Sequence, residues 1–218
     1  MSVAHGNVGD ERAAERASRV AMRLSLRAGD GESRLAALFA AAARAEARLQ
    51  LDDAASLWAD AHAVATEEDS TTHAPEVAVR AALTAALIAD EGSAAVFAEH
   101  AARLGHARRD VGATALAAAV RGALAARAHP EPDFVPAVVR GIDGLEAAGR
   151  SREAALALEM LAVAHLALGD PPAAIRTLGR ALPLAERAQN RPLAQRLGRA
   201  AERLAEGQDP YLEMRERG

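Results

Sequence analysis

Residues 155–188 read as two amphipathic helices folded back on each other at Gly169-Asp170, and no other feature constrains the fold as strongly. In the first helix Leu158, Leu161, Ala162 and His165 follow helical spacing, and in the second Ala174, Leu178 and Ala181 do. A lone helical hairpin cannot bury its own apolar stripes, so it needs neighbours stacked on it. Composition points the same way. The chain of 218 residues holds 60 Ala and 25 Leu against five aromatics. Alanine is the best helix former because ordering costs it no side-chain entropy, whereas strands favour the aromatic and β-branched residues that are scarce here. An all-α protein is expected. Each buried alanine contributes little, at roughly 0.8 kcal/mol per methylene, so cohesion must come from many close helix contacts.

Caps and breakers mark ten helices. The first runs from Asp10 to about Ala28-Gly29, the second from Ser33 to Gln50, and the third starts at Asp52. Pro75 suits the first turn of a fourth that runs to Asp90, and Ser93 caps a fifth closed by Gly105. A sixth spans Arg108 to Ala128 and halts before His129-Pro130. Asp133 opens a seventh closed by Gly149, and Ser151 opens the eighth, which Gly169 ends. Asp170-Pro171 opens the ninth, and a tenth begins at Pro192 and ends at Gly207. The short turns favour antiparallel neighbours. The expected organisation is one domain over 10–206, with frayed tails at 1–9 and 207–218.

Sliding the sequence on itself by 40 residues aligns the hairpins. Leu38, Ala78, Ala118 and Leu158 share one column, and Ala42, Ala82, Gly122 and Ala162 another. The second helices align as Ala54, Ala94, Phe134 and Ala174, then Trp58, Ala98, Val138 and Leu178, then Ala61, Ala101, Gly141 and Ala181. Small residues recur where two helices would approach closely.

With Leu158, Leu161-Ala162, His165, Ala174, Leu178 and Ala181 in place, residues 155–188 resemble a tetratricopeptide repeat. The Gly, Tyr and Pro of that pattern are missing, and Glu186 stands where the proline would sit. Trp58 and Ala61 fit over 35–68, while Arg121 falls where the family keeps an apolar residue. A period near 40 leaves HEAT-like helical repeats as the alternative. The resemblance implies a right-handed solenoid of about four antiparallel helical hairpins with capping helices at each end. It also implies a concave groove lined by first helices, where Leu156, Glu159, Val163, Leu166 and Ala167 would face a bound segment. The carboxylate clamp of some family members uses Lys and Asn. This chain has no Lys, and its only Asn residues are Asn7 and Asn190, so that clamp is not expected.

All 26 basic residues are arginine and cysteine is absent, as codon bias in a GC-rich genome would produce. These absences exclude thiol nucleophiles, disulfides, thiolate metal sites, Schiff-base lysines and the phosphate-loop and protein-kinase lysines. No nucleophile elbow, dinucleotide fingerprint, HExxH or calcium loop occurs, and no His pair sits at i, i+4. Neither enzyme activity nor a cofactor or metal is expected. Met1 to Asp10 holds no apolar run behind basic residues, and no charge-free run approaches the ~18 residues of a membrane span. A cytoplasmic location follows as the default.

Two surfaces are candidates. Arg12, Arg16, Arg19, Arg23 and Arg27 share one face of the first helix, within an arc of about 80° at 100° per residue. Arg196, Arg199 and Arg203 form a smaller stripe on the last helix beside Leu193, Leu197 and Leu204. Either would dock an acidic partner or an anionic membrane surface, or serve as the solvated outer face of a cap. Nucleic acid is disfavoured by a net charge of −4 and the lack of aromatic residues for base stacking. Phe134 could anchor a partner or staple the start of the seventh helix. His165 replaces a packing aromatic. The leading expectation is a non-catalytic protein–protein interaction module, an adaptor or regulatory subunit that binds a partner's peptide or helix. A small-molecule-sensing regulatory domain is the alternative, and a HEAT-like scaffold docking an acidic partner through the Arg12–Arg27 stripe follows it.

Overall fold

The computed structural model describes residues 20, 30–48, 50–68, 73–129 and 132–211. Among these the chain is all-helical, with nine α-helices and no strand. They are α1 (Gly31–Ala47), α2 (Leu51–Glu67), α3 (Ala74–Leu87), α4 (Glu91–Arg108), α5 (Val111–Ala128), α6 (Val135–Ala147), α7 (Ser151–Ala167), α8 (Pro171–Arg187) and α9 (Arg191–Ala205). A 3-10 turn, Pro132–Phe134, precedes α6. The helix expected at 10–28 lies outside the described residues. The chain divides by its internal packing into two compact units, residues 1–77 and 78–218, and the division falls inside α3.

A joint recurring at intervals of 20 or 40 residues explains the regular succession. Residues 50, 90, 110, 150, 170 and 190 each donate their backbone N–H to the carbonyl five residues back, at 2.8–3.0 Å. That bond closes the preceding helix as a Schellman motif. The same residue is the N-cap of the next helix, and at Asp90, Asp110, Asp170 and Asn190 its side chain accepts a first-turn N–H. The residue just before the cap is left-handed at Ala89, Arg109, Gly149, Gly169 and Gln189. Only Gly149 and Gly169 take that conformation without a Cβ penalty. Ser33 and Ser93, expected as caps, instead sit in the first turn, three residues after the true caps Asp30 and Asp90.

In the first unit α1 packs on α2. Trp58, the only tryptophan, is fully buried there. Its Nε1 donates to Glu46 Oε1 at 2.7 Å, and its ring meets Phe39 edge-on at 4.8 Å. That geometry suits both the indole's single donor and the aromatic quadrupoles.

In the second unit α5 packs on α4, α6 and α7, and α7 also packs on α6 and α8, with α9 against α8. Small residues set the approach of these helices. A methyl placed on Gly122 of α5 would come 2.8 Å from Phe134 Cδ2 and 3.1 Å from Val138 Cγ2 of α6. Gly105 likewise lies against Ala113 and Thr114 of α5, and α4, expected to stop there, continues to Arg108 and closes at the left-handed Arg109. By length and composition α5 could cross a membrane, but half of it is buried inside the protein. Packed on three helices, it is a core element of its unit.

Candidate functional site

The face of α7 expected to line a groove is mostly interior. Every residue from Ala154 to Ala164 is buried, and Leu156, Glu159 and Val163 are 4, 1 and 0% exposed. Leu166 and Ala167, at the C-terminal end of the same helix, are half-buried. A helix that is apolar on all sides belongs in a core, and α7 has α5, α6 and α8 around it. The expected groove residues therefore separate into three that pack inside and two that reach the surface.

Glu159 is the exception in that apolar run. Its Oε1 accepts from Arg196 Nε at 2.9 Å and its Oε2 from Arg196 Nη2 at 2.5 Å, a bidentate pair between α7 and α9. Both partners are buried, with Arg196 at 8% exposure. Bidentate geometry satisfies two donors of the guanidinium and both carboxylate oxygens, as a desolvated pair requires. Arg196 is thus no part of a solvated stripe. It stands on the same face of α9 as Leu193, Leu197, Ala200 and Leu204, all buried. Arg199 remains exposed and Arg203 half-buried.

Arg150 organises the N-termini of α5 and α7. Its Nη1 donates to Asp110 Oδ1 at 2.8 Å, while Nε and Nη2 donate to Glu153 Oε1 at 3.1 and 2.8 Å. Asp110 also accepts from the N–H groups of Gly112 (2.9 Å) and Ala113 (3.2 Å). Burial works against the Asp110 charge, yet Arg150 and these two amides outweigh it and hold its carboxyl below the usual range. A methyl on Gly112 would fall 2.5 Å from the Arg150 Cζ, so the missing side chain makes room for the guanidinium. Arg150 and Asp110 are 40 residues apart, one period of the repeat. On the surface, Arg180 of α8 donates to Asp143 and Glu146 of α6, at 2.6 Å each. Arg121, expected to be anomalous in an apolar column, is exposed and faces Glu99 at 3.8 Å.

The Phe134 ring lies over Gly122 and its residue caps α6, so it staples that helix start. His165 is half-buried at the end of α7, and burial lowers its pKa. Among the described residues no group of three or more His, Asp or Glu could hold a metal ion. Arg12, Arg16, Arg19, Arg23 and Arg27 lie outside the described residues. Sequence reasoning missed the ion pairs that join helices about 40 residues apart. One signal was present: Glu159 interrupts an otherwise apolar run from Ala154 to Ala164, and Arg196 falls on the leucine face of its own helix.

No protein-family model matches the chain, and a search of curated proteins finds no match.

Proposed function

We propose that the chain is a tetratricopeptide-like right-handed α-solenoid that acts as a non-catalytic interaction module. It would be an adaptor or regulatory subunit that binds a peptide or helix of a partner protein. The observation supporting this reading is the packing of α5 on α7, the first helices of consecutive hairpins, while α4, α6 and α8 pack on their sequence neighbours. Packing between successive hairpins is how repeat proteins build extended binding surfaces. On α7 the surface open to a partner is the end carrying Leu166 and Ala167.

Affinity purification of the tagged protein from its native host, with quantification of co-purifying polypeptides and metabolites, tests the reading. A stoichiometric polypeptide is expected, and a peptide derived from it should bind the purified chain at least about tenfold more weakly after Leu166→Arg, the loss of roughly 1.4 kcal/mol. A retained small molecule with no stoichiometric polypeptide would overturn the reading in favour of a ligand-sensing domain.

A further inference from the structure

Charge along the chain is strongly segregated. Residues 51–76 hold seven carboxylates and no arginine, whereas residues 171–205 hold seven arginines and two glutamates. The structure turns both biases into faces. On α2, Asp53, Asp60 and Glu67 recur every seven residues, which places them within about 40° of one another around the helix and along about 21 Å of its length. All three are exposed. On α8, Arg176 and Arg187 fall within about 20° of one another and about 16 Å apart along the axis. Arg191 and Arg199 extend the basic character onto α9, and all four arginines are exposed.

None of these seven side chains makes an ion pair among the described residues, although Arg150, Arg180 and Arg196 are each fully engaged with carboxylates. Within the fold the helix dipoles oppose Arg191, the first residue of α9, and favour Arg187, in the last turn of α8.

We propose that the exposed arginines of α8 and α9 dock the acidic α2 stripe of a second copy of this chain, so that copies associate. The docked faces are opposite in charge, and the long arginine side chains span the difference in length between about 16 and 21 Å. Because the two faces differ and each copy carries both, the contact is either returned reciprocally within a pair or repeated from copy to copy, and the sedimentation series reads which. The inference does not rest on the proposed binding of a partner peptide.

Sedimentation velocity of the whole chain at about 100 μM, from about 20 to 500 mM NaCl, tests it. Concentration-dependent assembly is expected at low salt and its loss at high salt, where the Debye length shrinks to a few ångströms. Two charge-reversed variants complete the test. One carries Asp53→Arg, Asp60→Arg and Glu67→Arg, and the other Arg176→Glu, Arg187→Glu and Arg191→Glu. Each alone should be monomeric at low salt with unchanged helical content, and an equimolar mixture should assemble again. A monomeric wild-type chain at low salt, or a mixture that stays monomeric, would overturn the proposal. So would an α2 variant that loses thermal stability with no change in assembly, since its carboxylates would then be serving the fold of the single chain.

Discussion

Replacing Arg196 by Met removes the guanidinium while keeping a side chain of similar reach. It leaves the Glu159 carboxylate, 1% exposed, without the partner that occupies both of its oxygens. Breaking a buried pair from one side costs about 3–5 kcal/mol, because the surviving charge keeps its desolvation penalty and loses its compensation. At this chain length that corresponds to a fall of roughly 6–20 °C in melting temperature. Glu159→Leu should carry a comparable penalty, with Arg196 stranded. The double variant Glu159→Leu/Arg196→Met removes both charges and their desolvation together, so it should lie within about 1 kcal/mol of wild type or above it. Urea unfolding followed by far-ultraviolet dichroism gives all three free energies, and the m-values must agree for the comparison to hold. A cost below about 1 kcal/mol for Arg196→Met would refute the reasoning. That result would mean the pair is open to solvent and α9 is not seated through it.

Two further outcomes follow from backbone and titration. Gln189 is left-handed at φ 53° in the joint between α8 and α9, so Gln189→Gly should raise stability by about 0.5–1 kcal/mol, and a lowered urea midpoint would contradict that conformation. Burial lowers the pKa of His165, with Asp170 opposing and Arg176 assisting, and burial with Arg103 lowers that of His100. The folded chain takes up protons on these imidazoles less readily than the unfolded chain, so their contribution is whole above the unfolded value of about 6.5 and is lost as pH falls through it toward the lower folded values. Melting temperature should drop as pH falls below about 6.5, and His100→Gln/His165→Gln should flatten the drop; an equal slope in the variant would refute the assignment.

Much of the fold could be read because caps and joints obey local rules. Gly149 and Gly169 end their helices as expected, since each takes the left-handed conformation that closes a Schellman turn. Gly105 shows the limit of the same rule. It lies inside α4 because the helix closes instead at left-handed Arg109, where the Asp110 N–H donates to the Gly105 carbonyl, and the absent side chain of Gly105 serves the close approach of Ala113 and Thr114. Ser33 and Ser93 misled because serine caps well in general, but an aspartate three residues upstream reaches the first-turn amides in each case. The groove was the least legible part. Resemblance assigns Glu159 to a surface, whereas its environment is fixed by Arg196, 37 residues away on another helix. No local pattern could select that arginine over Arg199 or Arg203 except its place on the leucine face of α9.

The central claim is that consecutive helices fold back on each other in a fixed register, with small residues setting their approach. Ala115 of α5 and Gly141 of α6 test it most directly, because a Cβ built on Gly141 lies 3.5 Å from the Ala115 Cβ, within the range of a disulfide. The chain contains no cysteine, so Ala115→Cys/Gly141→Cys would introduce its only thiols. Mild oxidation followed by non-reducing electrophoresis and mass spectrometry should show near-complete intramolecular cross-linking with helical content retained. Free thiols, or only intermolecular disulfides, in a chain that stays helical would contradict the register and the hairpin with it.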